Sequence, residues 1–199
     1  MEQSTSKPVG ESGSEKKHTV EEWLALPEGK YVELIDGVFY DKEYDMAPPS
    51  MHHQELVGEL YFDIRSHIRE KGGDCKVFPA PFGVRLHAED SNIVEPDITV
   101  VCDRDKLSEQ GCTGAPDWVI EIISPSTASM DYVKKRELYM NAGVREYWIV
   151  DPNNRIVMIY KSDAPMKNES FTFEDTVKVG IYDDFAIDFK AITERILWK

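Results

Sequence analysis

Two short runs decide how this chain reads: Glu95-Pro96-Asp97-Ile98-Thr99-Val100-Val101 and Asp117-Trp118-Val119-Ile120-Glu121-Ile122-Ile123-Ser124. Both are rich in β-branched and aromatic residues and bounded by turn-formers, the pattern of strands buried on both faces. Each nevertheless carries a carboxylate. Asp97 opens the first run and Glu121 sits inside the second. An ionised carboxylate in such a place costs on the order of several kcal/mol unless a cation or hydrogen bonds compensate it. Two carboxylates converging from neighbouring strands are what a hard divalent cation uses, so Asp97 and Glu121 are candidate metal ligands at the end of a sheet.

Just downstream, Ser124-Pro125-Ser126-Thr127 breaks the second run, and a helix is expected from about Met130 to Ala142, stopped by Gly143. Asp131, Lys135, Leu138, Tyr139 and Ala142 share one face of it. Lys135 is therefore on the side that packs, where a lysine needs an acidic partner. Lys134 and Arg136 point elsewhere and read as solvated. The competing reading is structural, with Asp97 capping a strand after Pro96 and Glu121–Lys135 forming a buried ion pair.

Upstream, Thr19-Val20-Glu21-Glu22 is a capping box that starts a short helix through Trp23 and Leu24. Tyr31 to Ile35 and Val38 to Tyr40 flank Asp36-Gly37, a hairpin signal. Strict alternation reads Glu33 as an outward polar position of the first arm. Ser50 is the expected N-cap of a second helix, whose Leu56, Val57, Leu60, Tyr61, Ile64 and Ile68 line one face up to about Lys71 and Gly72-Gly73. His53 lies on that apolar side, where a hydrogen-bonded core histidine is the commoner outcome. Strands are expected at Cys75 to Phe78 and Gly83 to Leu86, with Pro79 and Pro81 marking an edge or bend. Asp103 to Pro116 reads as a polar loop. Further strands follow at Tyr147 to Val150, Ile156 to Tyr160, Phe171 to Phe173 and Val177 to Val179, with a closing helix near Ala191 to Leu197. Helices alternating with buried strands on a mixed sheet, flanked by antiparallel hairpins, make an α/β fold.

The 199 residues suit one domain, and 41% hydrophobic with 30% charged residues is ordinary globular composition. Residues 1–18 read as a disordered leader and 19–199 as the domain, since Met1 to Lys17 has almost nothing to bury. No run is long enough to span a membrane. The three cysteines, Cys75, Cys102 and Cys112, are odd in number and form no Cys-x-x-Cys pair. They read as reduced residues suited to the cytoplasm, Cys102 being a small buried hydrophobe at a strand end. The net charge of −14 opposes long-range attraction of phosphates. Lys134, Lys135, Arg136 and Arg145 offer a local basic cluster near the proposed site.

Several of these segments occur together in a known family. Pro96-Asp97, Ala115-Pro116-Asp117-Trp118-Val119-Ile120-Glu121-Ile122-Ile123-Ser124-Pro125-Ser126, Asp131, Lys135, Tyr139 and Gly143-Val144-Arg145-Glu146-Tyr147-Trp148-Ile149-Val150-Asp151-Pro152 resemble the Uma-two family. Glu33-Leu34-Ile35-Asp36-Gly37 and His53 fit its pattern too. This is a bacterial family of restriction-endonuclease-like proteins within the PD-(D/E)xK nuclease superfamily. The resemblance implies a core in the order helix, three strands, helix, strand, and makes Asp97 and Glu121 the acidic ligands of magnesium or manganese. The superfamily lysine falls two residues after the glutamate, a place held here by Ile123, and Lys135 looks like its migrated replacement. Glu33 and His53 become auxiliary site residues. DNA is the expected substrate and a homodimer the expected assembly. The metal would polarise a phosphodiester and activate a water that Lys135 holds, or Lys135 would stabilise transition-state charge. The alternative is an inactive nuclease-fold protein serving as a binding or regulatory module. A glycosidase using the two carboxylates leaves Lys135 without a role.

Overall fold

The computed structural model describes residues 17–27, 30–41, 49–87, 92–124, 129–196 and 198. The leader expected over residues 1–18 thus falls outside the described residues, except for Lys17 and His18. Thr19 closes a complete capping box over α1 (Val20–Leu24). β1 (Val32–Ile35) and β2 (Val38–Asp41) form the expected hairpin, with Asp36 and Gly37 at φ of 53° and 80°, the left-handed values a tight hairpin turn needs. α2 (Met51–Lys71) starts at Ser50, whose Oγ accepts the His53 N–H, and ends on a left-handed Gly72.

Past α2 come β3 (Lys76–Pro79), β4 (Val84–Arg85), β5 (Ile93–Val94) and β6 (Ile98–Val101). Asp103 to Pro116 is not an unstructured polar loop. It folds as a 3-10 turn (Arg104–Lys106), β7 (Leu107–Ser108) and β8 (Gly111–Thr113). These strands are too short to show a period and exist through pairing with β4. β9 (Trp118–Ile122) leads to a π-helical turn (Met130–Lys135) continued by α3 (Arg136–Ala142). β10 (Glu146–Asp151), β11 (Ile156–Lys161) and β12 (Asn168–Thr172) follow, then the ladder of β13 (Thr176–Lys178) with β14 (Ala186–Asp188), and α4 (Phe189–Arg195).

The central sheet has the order β12-β11-β10-β9-β6-β3, with β9 and β10 parallel and the other pairs antiparallel. In chain order α2, β3, β6, β9, α3 and β10 give helix, three strands, helix, strand. A second sheet, β2-β1-β5-β4-β8-β7, lies beside it. Alternate residues of each central strand serve different cores. Trp118, Ile120 and Ile122 join Leu56, Leu60 and Ile64 of α2 and Phe189 and Ile192 of α4. Val119 and Ile123 face the opposite way, toward Tyr139 of α3 and Ile35 and Val84 of the second sheet. Glu121 therefore points between the two sheets, beneath α3.

The cysteines depart from expectation. Cys75 and Cys102 form a disulfide, leaving Cys112 as the free, buried thiol. The cause is register. Lys76 pairs with Val101 across the antiparallel β3–β6 ladder, so the next residues outward meet. The reading of three reduced cysteines, and of Cys102 as a plain hydrophobe, is corrected accordingly. No described helix is long and apolar enough to cross a membrane.

Candidate functional site

Strand register builds the site. Ile98 pairs with Ile120 in the antiparallel β6–β9 ladder. One step outward, Asp97 stands across from Glu121. The Asp97 Oδ2 accepts the Ile122 N–H at 2.7 Å, so the carboxylate is tied to the neighbouring strand beside Glu121. His53, brought in by the first turn of α2, places Nε2 3.2 Å from the same oxygen. The side chains of His53 and Asp97 keep 14% and 18% of their exposure, and this is where solvent reaches the site.

Behind them lies a buried charge cluster. The Lys135 ammonium sits 2.9 Å from Glu33 Oε1, 2.9 Å from Glu121 Oε1 and 3.5 Å from Asp131 Oδ1. Residues Lys135, Glu33 and Glu121 are each 3% exposed. The Tyr139 hydroxyl donates to the same Glu121 oxygen at 2.8 Å, while the Glu95 N–H donates to Glu33 Oε1 at 3.0 Å. The Tyr147 hydroxyl holds the Asp131 carbonyl at 3.1 Å. Burial pulls the Lys135 ammonium toward its neutral form. The charges of Glu121, Glu33 and Asp131 outweigh that pull and hold its pKa well above the ordinary lysine value. Burial, then the charge of Glu121, pushes the Tyr139 phenol well above its usual range; burial and Asp131 do the same to Tyr147. At neutral pH Lys135 is thus a cation and both phenols are donors.

Of the five sequence candidates, Lys135, Glu33 and Glu121 are in direct contact, while His53 and Asp97 form a separate pair that strand register sets beside Glu121. Glu33 is not an outward strand position, because β1 is covered on both faces and is buried along its whole length. His53 combines both of its readings, being a hydrogen-bonded histidine bonded to a candidate ligand. Asp131 and Tyr139 also belong to the cluster. Helical spacing placed them on the packing face with Lys135, and a buried aspartate there needs a cation as much as the lysine needs an anion. The expected basic cluster is corrected. Lys134 pairs with Asp36 at 3.1 Å, Arg136 lies over the Tyr160 ring, and Arg145 pairs with Asp117 at the far end of β9.

Among the described residues no three His, Cys, Asp or Glu side chains form a ready-made cage for a metal. The donor set suits a magnesium-like ion, which keeps several waters and takes only one or two protein carboxylates. Zinc's closed shell of nitrogen and sulfur ligands finds no match in it.

Comparison with known proteins bears on this constellation. Residues 20–189 match the model of the Uma2 family, described as "Putative restriction endonuclease". A protein of Synechocystis sp. (strain ATCC 27184 / PCC 6803 / Kazusa), named "Uncharacterized protein slr1290", is 31% identical over 134 residues, 66% of this chain and 66% of its own length. The crystal structure of "a putative nuclease belonging to DUF820" from Anabaena variabilis ATCC 29413 superposes with a TM-score of 0.71 at 24% identity. That match covers 88% of this chain and 97% of the other, and shows the restriction-endonuclease-like fold.

Proposed function

We propose, because the chain belongs to the Uma2 family, that it is a divalent-metal-dependent endonuclease that hydrolyses phosphodiester bonds in DNA. The observation that carries this reading is the register that sets Asp97 across from Glu121, with the Lys135 ammonium on Glu121. Asp97 and Glu121 would hold magnesium or manganese, which when bound supplies a water of lowered pKa and neutralises phosphate charge. Lys135, kept protonated, is a donor and a source of positive potential for a pentavalent phosphate, and not a general base. Glu33 and Asp131 hold that ammonium in place should Glu121 turn toward a metal. His53 and the Ile122 N–H orient Asp97.

The test is nicking of supercoiled plasmid. Activity should require magnesium or manganese, stop in EDTA, and vanish in Asp97→Asn, which preserves shape. Undiminished nicking in both Asp97→Asn and Lys135→Ala would overturn the site. The depth of Lys135 and Glu121 favours a second reading, a binding or regulatory module on a nuclease fold. That reading gains if metal-loaded protein binds DNA and leaves it uncut.

A further inference from the structure

Many of the cations among the described residues have an acidic partner. Lys71 is paired with Asp184, Arg104 with Asp74, Lys134 with Asp36, Arg145 with Asp117, Lys161 with Glu169, Lys190 with Glu174, and Arg195 with Glu59. In a chain of net charge −14 such neutralisation is expected. Arg65, Arg69 and Lys76 are among the cations without one, and these three stand together. They form no ion pair with the described residues, and they line one cleft of about 200 Å³ floored by Ile68, Cys75 and Val77. Arg65 and Arg69 stand four apart on α2, an arrangement that repels and destabilises a helix by about 0.2–0.5 kcal/mol. Lys76 adds a third exposed charge from β3, the edge strand of the central sheet. The nearest acid on the facing loop, Asp74, is occupied by Arg104, which also donates to its carbonyl.

We propose that this cleft is a binding site for backbone phosphates of nucleic acid, separate from the catalytic constellation. The proposal rests on the nuclease reading for the identity of the ligand. Three cations around a space of this size suit one or two phosphate groups, and the lack of competing carboxylates leaves the charge available. The helix also sets a distance. From His53 to Arg65 and Arg69 the rise of 1.5 Å per residue spans about 18–24 Å. At about 3.4 Å per phosphate along one strand, this corresponds to roughly five to seven nucleotides. The cleft would hold the backbone that far from the bond being cut, giving a chain of acidic total charge a grip on its substrate.

Binding and cutting must be measured apart. Anisotropy of a fluorescent duplex of about 20 base pairs in EDTA, over a salt series, reports the phosphate contacts. Against wild type, the triple variant R65A/R69A/K76A should lower the slope of log K on log salt by about 2.7 and weaken binding roughly 10²-fold at 0.1 M salt. Asp97→Asn should bind like wild type and fail to nick. All three replaced side chains are exposed, and circular dichroism checks that the variant is folded. A triple variant that binds with unchanged slope while wild type nicks plasmid would overturn the cleft and leave the nuclease reading standing. Wild type that binds without nicking, with binding lost in the triple variant, would support the cleft and overturn the nuclease. A wild-type protein that neither binds nor nicks would overturn both.

Discussion

Lys135 contacts three carboxylates at once, so its removal takes their shared cation from a dry interior. Lys135→Met should cost about 3–5 kcal/mol, read from urea unfolding, because an uncompensated buried charge is worth far more than the pair it came from. The pH dependence has a defined sign. The folded-state values of Lys135, Tyr139 and Tyr147 are all raised, so the folded protein binds more protons in the alkaline range. Their stabilising contribution is complete below the unfolded values near pH 10 and is lost as pH rises through the folded ones. The urea midpoint should therefore show no loss from these groups between about pH 7 and 9 and fall steeply above about pH 10. Lys135→Met should blunt the alkaline fall. Much of this cluster is legible at residue level, since a lysine on a packing face demands acids. Glu33 was hidden. Two-residue alternation makes every polar strand position look outward, and only the tertiary packing that brings Lys135 onto β1 turns it inward.

Elements differ in how far local chemistry specifies them. α2 carries its own start and stop, Ser50 and Gly72, and so could be placed without tertiary information. Ser50→Ala should cost about 1 kcal/mol in thermal or urea unfolding. It should also loosen His53, whose N–H the serine caps, and with it the hydrogen bond to Asp97. β4 falls within the strand expected over Gly83 to Leu86, whereas the two-residue strands β5 and β7 have no such signal, because they are strands only by virtue of their neighbours. Gly111, at the start of β8, shows the price of that closeness. Its φ is +125°, and a Cβ there would lie 2.1 Å from the Gly83 carbonyl oxygen. Gly111→Ala should destabilise by at least about 1–3 kcal/mol, measured by denaturant titration, through strain at that backbone position.

On the scale of the molecule, the cross-link between β3 and β6 ties the edge strand to the strand that presents Asp97. Alkylation followed by mass spectrometry should find no labelled Cys75 or Cys102 without reductant, and both labelled after reduction. The pair of substitutions Cys75→Ser and Cys102→Ser should cost about 3.5 kcal/mol by removing closure of a loop of this length from the unfolded chain. Cysteine counting failed here for a physical reason. Odd number and spacing say nothing of which residues a ladder sets opposite, whereas strand register does.

The same ladder has a consequence for how the chain tolerates length change. Asp97 and Glu121 face one another because β6 and β9 pair in one register, and the 3-10 turn, β7 and β8 that intervene along the chain play no part in aligning them. A residue inserted in the exposed stretch around Arg104 and Asp105 leaves the carboxylates opposed. A residue inserted within Ile98–Val101 or Trp118–Ile122 shifts one strand by a single step and sends its carboxylate to the other core. Parity along two strands, and not their separation in the chain, is the quantity that selection on this site would guard.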